Sequence, residues 1–167
     1  MTSKILARAE VGFNGDFFQV ISVSSGMLSY PELTAEVRYL EPDADDGALG
    51  EALRLALGES KQVSIAEFQK IFASGEIQRI GEERNKYAMK KYSYKSKRAM
   101  FRKMMCCWIN ISESQIQIKP THHNSIDGYS GISIDGDEIL NLPVSATDAE
   151  LGAALREGFN RCTSAIN

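Results

Sequence analysis

Histidine and cysteine, the residues that most often carry chemistry, are scarce here: two of the first and three of the second among 167 residues. The cysteines are Cys106, Cys107 and Cys162, an odd number with a vicinal pair, which makes a poor disulfide framework. No C-x-x-C or Cys/His spacing suggests zinc, so they read as small apolar side chains in a reducing compartment. The histidines, His122 and His123, are neighbours. On an extended segment adjacent side chains point to opposite sides, so the two do not share one metal. H-E-x-x-H, G-x-S-x-G, the Walker loop and G-x-G-x-x-G are all missing. The acidic "DGDE" (Asp135–Glu138) lacks the spaced ligands of a calcium loop. No catalytic residue, metal or cofactor is assigned, and the chain is not expected to be an enzyme. Long apolar runs are missing too; nothing approaches the roughly 18 residues of a membrane span. The opening "MTSKILARAEVGF" has no apolar stretch of the secretory type, so a cytoplasmic location is expected.

What is present is an ordinary globular composition, 43% hydrophobic and 25% charged. The length suits one domain covering residues 1–167. Net charge is −3, unevenly spread. Residues 79–103 hold ten Lys/Arg against Glu82 and Glu83; the remainder holds nine Lys/Arg against twenty Asp/Glu. A mildly acidic protein with one basic belt is not the footprint of a nucleic-acid binder. Its acidic remainder suits a basic partner.

Periodicity predicts strands at both ends and helices between. Asp16–Ser24 is aromatic and β-branched after an "NGD" turn, and Ala35–Glu41 alternates as a half-buried strand. Leu49, Ala52, Leu53, Ala56 and Leu57 form the stripe of a helix that Asp45 or Asp46 caps. A second helix opens at Ser64 with Glu67 as a capping box, turns Ile65, Phe68, Ile71 and Phe72 inward, and stops at Gly75. A third spans Glu76–Tyr92 and a short fourth runs from Ser96 to about Met105. Cys107–Lys119 reads as a hairpin across "SES". Gly131–Ile134 and Glu138–Leu142 flank a tight turn at Asp135-Gly136. A last helix is announced by Thr147 and Glu150. The expected class is α+β, a mostly antiparallel central sheet with several helices packed on it.

One echo links two of these helices. "LGEALRLALGES" (Leu49–Ser60) and "LGAALREGFNRC" (Leu151–Cys162) match at Leu, Gly, Ala, Leu and Arg with a constant offset of 102. They read as equivalent helices on the sheet, with Gly50 and Gly152 allowing each to approach a neighbour closely.

Two chemical readings stay open on the residues themselves. "YSYKSKRAMFRKMM" (Tyr92–Met105) and the residues just before it interleave cations with Tyr87, Tyr92 and Tyr94, as a single-strand nucleic-acid binder does. A nucleic-acid-binding regulator using the basic segment 79–103 is therefore an alternative. Against it, Met100, Phe101, Met104 and Met105 recur at helical spacing, which makes one face core and leaves the charges on the solvated remainder. A small hydrolase would use "PTHHNSID" (Pro120–Asp127), read as a loop gathering His122, His123, Ser125 and Asp127, with Cys106 or Cys107 as a conceivable partner of His122.

Taken in order, "LGEALRLALGES", "YSYKSKRAMFRKMMCCWI", "IQIKPTHH" and "LPVSATDAELGAALREGFNRC" resemble the immunity proteins of bacterial contact-dependent growth inhibition, the CdiI type, over Leu49–Cys162. The resemblance implies a small cytoplasmic α+β protein that binds and neutralises one partner stoichiometrically. That partner is the cognate C-terminal toxin domain of a CdiA effector, often a nuclease, and some members bind it by β-augmentation. Direct nucleic-acid or membrane contact is not implied. For toxin contacts the candidates are Asp43, Asp45 and Asp46 before the first helix, and Asp135, Asp137 and Glu138 at the hairpin tip. Their motive is clustered acid in exposed loops, and the same residues suit turns and caps.

Overall fold

The computed structural model describes residues 4–132 and 136–166. Among these, the strands are β1 (Ala7–Phe13), β2 (Phe18–Ser25), β3 (Ser29–Pro31), β4 (Arg38–Leu40), β5 (Met105–Ile111), β6 (Gln115–Ser125), β7 (Gly128–Gly131), β8 (Leu140–Pro143) and β9 (Thr163–Ser164). The helices are α1 (Asp46–Gly58), α2 (Ile65–Ala73), α3 (Glu76–Lys91), α4 (Lys97–Phe101) and α5 (Asp148–Arg161). The sheet runs β3-β2-β1-β5-β6-β7, with β4 beside β2, and β8 and β9 beside β6. Its named strand pairs are antiparallel apart from β6 with β9. The class is α+β, as the periodicity predicts.

Alternation decides which side of the sheet each helix covers. Ala9 and Val11 on β1, Phe18 and Val20 on β2, Cys107 and Ile109 on β5, and Ile116 and Ile118 on β6 all face one buried core. That core is closed by Leu49 and Leu53 of α1 and by Leu151 and Leu155 of α5, each fully buried. Each such leucine contributes about 1.5–3 kcal/mol through burial.

The echo in the sequence is a physical contact. A methyl group at Gly50 would overlap the carbonyl oxygen of Asp148, and one at Gly152 would overlap that of Asp46, so each glycine lies directly on the other helix's first turn. The arginines repeat the pattern. Arg54 Nε donates to Asp148 Oδ1 at 3.0 Å and its guanidinium also reaches the carbonyls of Val144 and Ala146. Arg156 Nε donates to Asp46 Oδ1 at 2.7 Å and reaches the carbonyl of Ala44. Glycine, arginine, aspartate and carbonyl are each related by the same offset of 102, which makes α1 and α5 a pseudo-twofold pair crossing near their N-termini.

A second, smaller core lies under α3 and α4. Phe17, Ala88, Met100, Phe101 and Met104 are buried there, with Tyr92 stacked on Phe17 at 4.1 Å and 3°. The apolar side of "YSYKSKRAMFRKMM" is therefore core, and its cations take the exposed remainder.

Several local expectations change in the folded chain. Only Arg38–Leu40 of Ala35–Glu41 pairs as a strand, where it meets the first residues of β2. Pro120–Asp127 is mostly strand, because β6 continues to Ser125 to pair with β7 and β9. α4 ends at Phe101, although Met104 stays in the same core. On α2 only Phe68 is buried; Ile65 and Phe72 are 63% and 66% exposed, because this short helix covers just the β2–β3 turn. Its cap is half of the expected box, with Ser64 Oγ accepting from Glu67 N at 3.1 Å. The predicted hairpin turn at Asp135-Gly136 falls partly on 133–135, outside the described residues, and the strands either side of it pair with β6 and not with each other.

The helix crossing makes a direct test. Gly50→Ala or Gly152→Ala should destabilise the fold by at least about 3 kcal/mol, since backbone carbonyls cannot yield as side chains do. Gly81→Ala, with open space around it in mid-α3, should instead hold or gain up to about 1 kcal/mol. Urea unfolding of the three variants reads both.

Candidate functional site

The side of the sheet turned away from α1 and α5 is only partly covered. Register places Arg8 beside Val23 and Asn110, Glu10 beside Ile21 and Trp108, and Trp108 beside Lys119. Arg8, Glu10, Val23, Trp108, Asn110 and Lys119, with Pro31 at the β3 wall, line a groove of about 370 Å³ that reaches from β3 across to β6. Its floor strands β1, β2 and β5 have neighbours on both edges, so the groove offers side chains and not backbone pairing.

Arg8 is held in place from below. Its Nε donates to Ser25 Oγ at 3.1 Å and its Nη1 to Asn110 Oδ1 at 3.0 Å, both neutral acceptors. Trp108, the single tryptophan of the chain, is half-buried beside it. Glu10 turns elsewhere and accepts from the Cys106 thiol at 3.0 Å. Burial raises the Glu10 carboxyl above its ordinary value, with the thiol's hydrogen bond pulling the other way. Burial and the neighbouring Glu10 also push the Cys106 thiol well up, so it is no ready nucleophile.

Beyond Glu10 the groove gives way to a smaller cleft of about 210 Å³ roofed by Ile77 and Arg84 of α3 and Lys97 and Phe101 of α4. Arg84 ties that roof to the loop after β3, donating to the carbonyls of Glu32 and Ala35 at 2.9 and 2.7 Å.

The acidic candidates divide by role. Asp45 caps α1, its Oδ1 accepting from Ala48 N at 2.7 Å, and Asp46 is the ion-pair partner of Arg156. Asp43 and Asp137 are exposed. Glu138 is half-buried and its backbone carbonyl accepts from Arg161 at 3.2 Å. Asp135 lies outside the described residues. Both loops are tied to α5, through Arg156 and Arg161, but five residues on a helix separate these anchors by roughly 140° of rotation.

The other chemical candidates are also placed. His123 is buried, stacked on Tyr129 at 4.5 Å with Nε2 2.8 Å from the Ile126 carbonyl, while His122 points the other way to Thr163 at 2.7 Å. The Thr163 hydroxyl is the side-chain partner of His122, and no cysteine is bonded to either ring among the described residues. All three cysteines are free, with the sulfurs of Cys107 and Cys162 3.8 Å apart. Tyr92 and Tyr94 pack against the second core, so they are not platforms for stacked bases; Tyr87 is exposed. Among the described residues no group of acids, histidines and cysteines is arranged for a metal, and no helix is long and apolar enough to cross a membrane.

Sequence reasoning missed Arg8, Glu10, Trp108, Asn110 and Lys119. The signal lay in the alternate positions of "ARAEVGF" and "MCCWINI", whose apolar members mark one face and whose polar members share the other.

A family model described as CDI immunity protein (CdiI) matches residues 7–162. The immunity protein CdiI-YPIII of Yersinia pseudotuberculosis serotype O:3 (strain YPIII) is 31% identical over 169 residues, covering 93% of this chain and 95% of its own. A solved chain from a CdiA-CT/CdiI toxin and immunity complex of Yersinia pseudotuberculosis matches with TM-score 0.85 and 27% identity, over 96% of this chain and 100% of that one. A protein of unknown function from Neisseria meningitidis shares the fold at TM-score 0.87 and 23% identity, over 97% and 99% of the two chains.

Glu10 yields a pH test. A carboxyl whose folded value is raised binds its proton more tightly in the native state, so it costs stability as pH rises through and above the ordinary value of 4.5. Glu10→Gln should therefore raise the melting temperature at neutral pH, and the gain should vanish well below that value. Melting curves of both proteins across the acid range measure it; a gain independent of pH contradicts the assignment.

Proposed function

The chain belongs to the CDI immunity protein family, and from that membership we propose that it binds the C-terminal toxin domain of its cognate CdiA effector and neutralises it in a stoichiometric complex. The observation that carries this reading is the near-full-length match, in sequence and fold, to a chain from a toxin and immunity complex. On this reading the chain acts as one domain in the cytoplasm, as a binding protein and not an enzyme. Its toxin is a nuclease. A nuclease must hold a polyanion and presents cations, and outside the basic belt this chain carries twenty acids against nine cations, which favours encounter with such a surface.

The acidic loops contribute to that encounter. Asp43 and Asp137 keep exposed carboxylates, while Asp45, Asp46 and Glu138 serve the fold as well. Asp135 completes the second cluster in sequence.

Co-expression provides the test. The toxin domain encoded beside this gene should arrest growth alone and be silenced by this protein but not by an unrelated immunity protein. The purified pair should elute as a one-to-one complex. Arrest that persists with the protein present, with no complex on the column, overturns the reading. Reversing Asp43 and Asp137 to Lys should slow association several-fold at low salt, since rim charges act mainly on the on-rate. An unchanged rate removes them from the interface.

A further inference from the structure

Resting on the toxin-binding reading, we infer that the groove on the open sheet face receives an acidic side chain of the toxin, its carboxylate taken by Arg8 with Lys119 beside it and the adjoining apolar contact made on Trp108.

Three observations lead there. Half-buried Arg38, Arg54, Arg156 and Arg161 are each neutralised by a carboxylate of this chain. Half-buried Arg84, which has no ion pair among the described residues, donates to two backbone carbonyls that tie α3 to the loop after β3. Arg8 is half-buried as well, yet its partners are the neutral Ser25 and Asn110, and its Nη2 has no partner among the described residues. The fork is pre-oriented and its charge is left over, the state in which arginine takes a carboxylate with little loss of side-chain freedom. Lys119, across Trp108 in the register, likewise pairs with no acid among the described residues. Glu10 is the acid nearest along the strand, two residues from Arg8, but its carboxylate is turned to the Cys106 thiol and makes no ion pair with Arg8. The groove therefore presents two uncompensated cations within a chain that is acidic overall.

The remaining lining says what accompanies the carboxylate. Val23, Pro31 and the half-buried Trp108 make an apolar surface next to Arg8. Tryptophan and arginine side by side in a concave, partly dry site are the residue types on which binding energy concentrates. The volume, about 370 Å³, suits inserted side chains and not a whole element. Because the floor strands have no free edge, the contact is made by side chains from a loop or turn crossing the strands, and is separate from any strand added at an edge of the sheet.

Calorimetric titration of the cognate toxin domain into wild type, Arg8→Gln, Lys119→Glu and Trp108→Ala tests the inference, with Lys90→Glu on exposed α3 as control. Circular dichroism first establishes that each variant is folded. Lys119→Glu and Trp108→Ala, which leave the hydrogen bonds of Arg8 intact, keep the test valid if Arg8→Gln unfolds. Each groove variant should weaken binding by about tenfold or more, as truncation at an interface centre does, while Lys90→Glu matches wild type. Folded groove variants that bind like wild type overturn the inference and leave the function standing. A wild type that binds no toxin overturns both. If an oligonucleotide binds and Lys119→Glu abolishes that binding alone, the groove belongs to a polyphosphate and the carboxylate assignment is overturned.

Discussion

The close crossing of α1 and α5 is the constraint on which the molecule rests. Two glycines bring each helix onto the backbone of the other's first turn, and two arginines reach across to an aspartate and to carbonyls just before the opposite helix. The helix pair thus behaves as one slab. It covers the centre of the first face of the sheet, and Leu49, Leu53, Leu151 and Leu155 are buried as a consequence. The arginine pairs are partly exposed and contribute little by charge alone. Their worth is geometric, since each also satisfies carbonyls that precede a helix.

The opposite face is built differently. α3 and α4 cover one end through the Phe17, Met100 and Met104 cluster, and the rest is left as a groove walled by β3 and Lys119. A sheet with one helix-covered face and one half-open face can hold a rigid floor and still present side chains outward. For an inhibitor that acts by occupancy this is sufficient, since a floor strand with both neighbours in place does not deform when a partner is seated. Charge is partitioned to match. Acid lies in the loops around the helix pair, cations cover α3 and α4, and the groove holds two cations of its own.

Much of the architecture was legible from periodicity and caps. The stripes of α1 and α5, the capping box at Thr147 and Glu150, the β5–β6 hairpin and the repeat at Gly50 and Gly152 all stand in the folded chain. Reading failed where neighbours decide. "PTHH" looks like a loop until β7 and β9 pair with it, and α2 looks buried until its short contact with the β2–β3 turn leaves Ile65 and Phe72 in solvent. The cap at Asp45 is local and was legible, but the employment of Asp46 was not: its ion pair with Arg156 forms only once the two helices are docked.

The sequence by itself determined the α+β class, the two equivalent helices and the family, because local periodicity and the order of motifs are properties of the chain. Only the tertiary structure decided that Arg8, Trp108 and Lys119 share one groove. They lie on three strands up to 111 positions apart, and what joins them is the antiparallel register of β1, β5 and β6, a long-range pairing that no local pattern specifies.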